Sequence, residues 1–133
     1  MDKECAKNRL LIHGSAVANH EEWHNCFIGQ LKPYRGRLDD SVYMDIVNCL
    51  LTVIEEINTG EPIDARIVTG VHGILYIGSL WLFDSESGLR KSYRIENGEV
   101  IRLQKWINNI SSMYHNMLWY KPEEQYLLEK YSI

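Results

Sequence analysis

The 133 residues include only three cysteines and three prolines, and no unbroken apolar run exceeds four residues, as in Ile74–Ile77. Each scarcity excludes something. A helix that crosses a bilayer needs about 20 predominantly apolar residues in succession, so no membrane contact is expected. Three thiols, Cys5, Cys26 and Cys49, are an odd and sparse set, unlike the framework of a secreted disulfide scaffold. The opening Met1-Asp2-Lys3-Glu4-Cys5 lacks the apolar stretch and small-residue cleavage site of a secretory leader, and no lipidation motif opens or closes the chain. A cytoplasmic protein with free thiols is the expectation. Cations are short as well: 14 Lys and Arg against 18 Asp and Glu, a net charge of −4. A nucleic-acid partner is therefore not expected, because phosphate binding depends on an excess of cations.

What is present is ordinary globular material, 45% hydrophobic and 24% charged, with no repeat or low-complexity linker, so residues 1–133 read as a single domain. Val17, Trp23, Phe27, Ile28 and Leu31 recur at helical spacing, and Lys32-Pro33 ends that segment before the basic loop Tyr34-Arg35-Gly36-Arg37. Asp39 and Asp40 suit the start of a second helix, with Val42, Ile46, Leu50, Val53, Ile54 and Ile57 on one face and Asn58-Thr59-Gly60 at its end. Between Pro62 and Ile95 the pattern changes. Ala65–Thr69 and Ile74–Ile77 are rich in β-branched and aromatic residues, with Gly70-Val71-His72-Gly73 reading as a turn between them. Ser79–Phe83 extends the second run past a bulge at Gly78, and Arg90–Ile95 supplies a third strand. A buried helix over Ile74–Phe83 is the rival reading; the three glycines between 70 and 78 favour strands. After Asn97-Gly98 a long apolar stripe from Val100 to Leu118 predicts an amphipathic helix, and Pro122 opens a short last helix carrying Tyr126, Leu127 and Tyr131. The expected fold is α+β: N-terminal helices, a small antiparallel three-stranded meander, then a long and a short helix. Trp81, Trp106, Trp119, Tyr114 and Tyr120 read as core or interface aromatics.

His20-Glu21-Glu22-Trp23-His24 matches H-E-x-x-H. On an α-helix, residues four apart share a face, so His20 and His24 could hold one Zn²⁺ with Glu21 as general base. Five residues resemble the zincin peptidases. Glu22 is charged where that family is not, Phe27 and Gln30 stand where an extended motif has glycine and a third histidine, and no third ligand follows. A small zinc-dependent hydrolase is thus the alternative reading, and no metal or other cofactor is assigned. Gly70-x-x-Gly73 lacks the lysine of a phosphate loop.

The negative charge is unevenly placed. Leu38–Ala65 holds Asp39, Asp40, Asp45, Glu55, Glu56, Glu61 and Asp64 and no Lys or Arg. Asp39 and Asp40 favour a helix N-terminus, whereas Glu55 and Glu56 fall near the expected C-terminus, where negative charge costs about 0.3–1 kcal/mol each. An acidic face for a basic protein partner is the functional reading, with Asp39, Asp40, Asp45, Glu55 and Glu56 as contact candidates.

Cys26-Phe27-Ile28-Gly29-Gln30-Leu31, followed by Asp39-Asp40 and Tyr43, resembles the N-terminal part of small bacterial immunity proteins of contact-dependent growth inhibition and related toxin systems. The resemblance implies a non-enzymatic cytoplasmic protein that binds a cognate toxin domain, often a basic nuclease, and blocks it. Oligomeric state stays open.

Overall fold

The computed structural model describes residues 1–17, 20–59 and 61–133. Among them there are six α-helices and no strand: α1 Lys3–His13, α2 Asp40–Thr52, α3 Ile54–Asn58, α4 Ala65–Phe83, α5 Asn97–Trp119 and α6 Glu124–Tyr131. The α+β expectation is therefore wrong, and the three-stranded meander does not exist. Ala65–Phe83 is one helix, and Gly88–Ser92 is a single π-helical turn where the third strand was expected. The one β-type pairing among the described residues is an isolated bridge between Leu31 and Tyr34.

Two observations explain α4. Asp64 is its N-cap, accepting a hydrogen bond from the Arg66 amide at 2.9 Å. Its glycines are contacts rather than turns. A Cβ on Gly70 would lie 2.5 Å from the Leu10 backbone, and one on Gly73 would lie 2.1 Å from the Gly14 oxygen. α1 and α4 approach so closely that only hydrogen fits between them. Further along, Gly78 lets α5 in, with Ile107 Cδ1 3.2 Å from the position of a Cβ. At the far end, the Ser87 hydroxyl donates to the Trp81 carbonyl (2.6 Å) and Arg90 to the Leu82 carbonyl (2.6 Å), satisfying the last turn.

α1 carries no apolar signal, because its buried positions Ala6, Lys7, Leu10, Ile12 and His13 mix polar with apolar residues. Asp2 caps it, accepting from the Cys5 amide at 2.7 Å. The helical spacing over Val17–Leu31 does not produce a helix. Residues 20–31 run through turns and a 3₁₀ turn at Trp23–Asn25, then tuck Phe27, Ile28 and Leu31 into the core. Ala18 and Asn19 of that expected segment lie outside the described residues, as does Gly60 at the expected end of the second helix. That second helix is present but divides at Val53 into α2 and α3.

The helices expected after Asn97 and after Pro122 are both present. Trp106 of α5 stacks on Tyr43 of α2, with centroids 5.5 Å apart. The Tyr43 hydroxyl donates to the Tyr131 carbonyl at 2.7 Å and accepts from Asn109 at 3.2 Å, which locks α6 across α2 and α5. Of the aromatics expected in the core or at an interface, Trp106 is buried, whereas Trp119 and Tyr120 stand outside the core, 72% exposed.

Candidate functional site

The five acids expected to face a partner are largely engaged by the chain itself. Asp39 is the N-cap of α2, accepting from the Ser41 amide (2.9 Å) and hydroxyl (2.7 Å), and these bonds hold its carboxyl below the usual range. Asp40 pairs with Arg102 of α5. Asp45 receives Arg9 and His13, each at 2.7 Å. Glu56 meets the buried Lys7 at 2.8 Å, and Glu55 lies 3.6 Å from Lys3. Since α3 begins at Ile54, both glutamates belong to its first turn, where the helix dipole favours negative charge. The base-free stretch thus supplies counter-ions to the cations of α1. Asp40 and Glu55 remain 64% and 83% exposed, so a partner can still reach them.

His13 is the most deeply buried member of these contacts. The Phe27 amide donates to its Nδ1 at 3.0 Å, which places the ring proton on Nε2, where it donates to Asp45. The His13 carbonyl also accepts from Ile28 at 3.2 Å, so one residue pins the 20–31 segment to α1 and α2. Burial drives the His13 pKa down and outweighs the Asp45 carboxylate. Burial alone would raise Asp45, but hydrogen bonds from His13 and Arg9 outweigh it and hold the carboxyl low. The result is a neutral imidazole on an ionised carboxylate, fully enclosed by the fold, where it ties α1, α2 and the 20–31 segment together. Cys26 and Cys49 are buried nearby, and loss of solvent raises both thiols, Cys26 to about 11. Both therefore stay in the protonated, weakly nucleophilic thiol form at neutral pH.

The H-E-x-x-H segment does not form the helix its chemistry requires. His20 accepts from the Glu22 amide at 3.1 Å inside a turn, and His24 sits in the 3₁₀ turn, edge-on to Trp23. No group of three His, Cys, Asp or Glu side chains is placed to hold a metal among the described residues. The premise of the zinc reading, two histidines on one helical face, is absent.

The feature that sequence reasoning missed is the outer face of α4. Its inner face, including Ile67, Gly70, Val71, Ile74 and Leu82, is covered by the fold. The outer face is apolar too: Val68, Tyr76, Leu80 and Phe83 are 45–63% exposed and follow one helical stripe, with His72 stacked on Tyr76 at 5.6 Å. No charged residue interrupts the helix between Arg66 and Asp84. A groove of about 440 Å³ lies along this stripe, lined by Tyr76, Ser79, Leu80, Phe83 and Asp84. By length and composition α4 could cross a membrane, although 39% of its most apolar window is buried within the fold. The signal becomes readable only once 65–83 is known to be helical: at 3.6 residues per turn its apolar residues then fall on both faces, broken on the outer one by Thr69, His72 and Ser79.

A second concavity, about 490 Å³, opens at the start of α2 between Asn25, Gln30, Arg35, Arg37, Asp39 and Ser41. The larger cleft of about 570 Å³ between α1 and α3 is lined by the paired charges Lys3, Lys7, Glu55, Glu56 and Asp64.

No family model matches the chain, and no curated protein or solved structure is significantly similar to it.

Proposed function

We propose that this protein is a non-enzymatic binding protein of the immunity type, which occupies a cognate toxin domain through the outer face of α4. The observation that carries the reading is the uncovered stripe Val68, Tyr76, Leu80 and Phe83 on a helix that carries no Asp, Glu, Lys or Arg beyond its second residue, Arg66. Contiguous exposed apolar surface of this kind is uncommon on a monomer, and aromatic side chains at the centre of a patch supply most of the energy of protein association. The partner chemistry follows from the rim. Asp84 lines the groove and makes no ion pair among the described residues. An apolar patch with a lysine or arginine beside it would fit there. Asp40 and Glu55 contribute long-range attraction to a basic toxin, whereas Asp45 and Glu56 serve the fold.

The test pairs the purified chain with the toxin domain encoded beside its gene and measures both binding and protection from the toxin. Leu80→Lys and Phe83→Lys should leave the circular-dichroism spectrum unchanged and weaken binding by at least about 2 kcal/mol each. Glu55→Lys should slow association in low salt with little effect on dissociation. Full affinity in both α4 variants would overturn the reading. So would loss of vesicle binding in those variants with no effect on toxin neutralisation, which would assign the stripe to a lipid surface.

A further inference from the structure

We infer that a second copy of this chain covers the outer face of α4 when no toxin is bound, the two helices running antiparallel about a twofold axis at the level of Ile74. Ala65, Thr69, His72, Tyr76, Ser79 and Phe83 line that face at successive steps of four, three, four, three and four residues. Five of them are exposed and Ser79 is partly so. Alternating steps of three and four make the seam of a left-handed helix pair, in which side chains of one helix enter the spaces of the other. A face that packs on its own copy must meet a further condition, because the twofold axis sets residue i on residue j and j on i. The six positions meet it. They are symmetric about Ile74, so antiparallel pairing sets Ala65 opposite Phe83, Thr69 opposite Ser79 and His72 opposite Tyr76. Each layer is complementary. Phe83 projects where the other copy offers only the methyl group of Ala65, and two hydroxyls meet in the layer of Thr69 and Ser79. At the axis the stacked His72 and Tyr76 rings, their planes within 7° of parallel, face the same pair of the other copy.

Charge allows the pairing although each copy carries a net −4. No Asp, Glu, Lys or Arg lies between Arg66 and Asp84, so the seam brings no like charges together. Antiparallel helices also set the negative end of each α4 beside the positive end of the other. Asp84, which makes no ion pair among the described residues, comes to the helix end where Arg66 keeps 30% of its side chain exposed. Val68 and Leu80 flank the seam and are covered with it. A parallel pair would instead put Phe83 on Phe83 and Asp84 on Asp84, and bring like helix ends together. The consequence is regulation of the proposed binding face: the dimer hides it, and the toxin must displace the second copy. The dimer stands on the seam alone, whereas the competition rests on the toxin reading of α4.

The experiment is sedimentation velocity on the full chain over a concentration series up to millimolar, with and without the neighbouring toxin domain. A reversible equilibrium of monomer and dimer is expected, and the toxin should convert the dimer into a one-to-one complex. Tyr76→Lys, an exposed change that leaves the circular-dichroism spectrum and urea midpoint in place, should weaken dimerisation at least about a hundredfold, because the axis puts each substitution into the interface twice. Cross-linking reads the register. In a Cys5→Ser background, with Cys26 and Cys49 buried, Thr69→Cys and Ser79→Cys together should give a disulfide-linked dimer under mild oxidation, and neither alone should. The two positions lie about 15 Å apart along one helix, too far to bridge within a chain. A monomer at every concentration, a dimer untouched by Tyr76→Lys, or cross-linking by Thr69→Cys alone as fast as by the pair would each overturn the inference. So would a chain that stays monomeric and binds phosphatidylglycerol vesicles through this face. Failure of the toxin reading looks different: the dimer and its cross-link are present, and the toxin does not dissociate the uncross-linked form.

Discussion

Replacing Gly73 with alanine puts a Cβ 2.1 Å from the carbonyl oxygen of Gly14, a distance that real Cβ atoms do not show. The obstacle is backbone, so no side chain can rotate away. The two helices must separate by roughly an ångström, and a gap of that size forfeits a quarter to a half of the dispersion energy of the atoms along the seam. Overpacking of this kind costs about 1–3 kcal/mol, and the clash with a helix terminus places Gly73 at the upper end. Alanine recovers up to about 1 kcal/mol through its better helix propensity, so the net loss should be about 2 kcal/mol. For a chain of this size that is a fall in Tm of roughly 6–10 °C. Gly98→Ala is the control. It lies in the first turn of α5 with nothing within 4 Å of its Cβ, and should stabilise by up to about 0.5 kcal/mol. Urea denaturation followed by far-UV circular dichroism measures both, with equal m-values expected. If Gly73→Ala proved as harmless as Gly98→Ala, the glycines would not be the seam between α1 and α4, and the account of why this segment is a helix would fail.

The His13–Asp45–Arg9 contact gives two further expectations. Asp45→Ala should cost about 2–4 kcal/mol in urea unfolding, because it strands the buried imidazole N–H and Arg9; a loss under 0.5 kcal/mol, where surface substitutions fall, would refute the role. Acidification should also destabilise the wild-type chain. His13 is held below its unfolded pKa of about 6.5, so as pH falls through that value the unfolded chain gains a proton that the folded one refuses. Asp45, also held low, adds a second loss below about pH 4, absent in Asp45→Ala. A urea midpoint that stays flat from neutral pH to about 5 would contradict the His13 assignment. Thiol labelling at neutral pH should modify Cys5, which is exposed, and spare Cys26 and Cys49 until urea unfolds the chain. Simultaneous reaction of all three would mean that the core around α2 is open.

Much of the helical skeleton is legible in the residues alone. Asp39-Asp40 marks the start of α2, the stripe from Val100 to Leu118 marks α5, and Pro122 precedes α6; each is a local signal that needs no distant partner. α4 is not legible as a helix because Gly70 and Gly73 carry the same letter whether they form a turn or admit a neighbouring helix. Nothing within 65–83 says which. The decision rests with Leu10 and Gly14, about 60 residues earlier in the chain. The candidate site shifted for the same reason. The acids of 39–64 stand out as a base-free run, yet the cations that engage them, Lys3, Lys7 and Arg9, lie on a helix whose own periodicity is hidden by burying Lys7 and His13.

Composition and local pattern therefore determined that the chain has a sizeable apolar core, where several helices begin, and where its negative charge is concentrated. Only the tertiary arrangement decided that most of this charge holds α1 in place while an apolar face of α4 is left uncovered. A charge or a glycine acquires its meaning from the group opposite it, and that group is set by packing rather than by sequence neighbours.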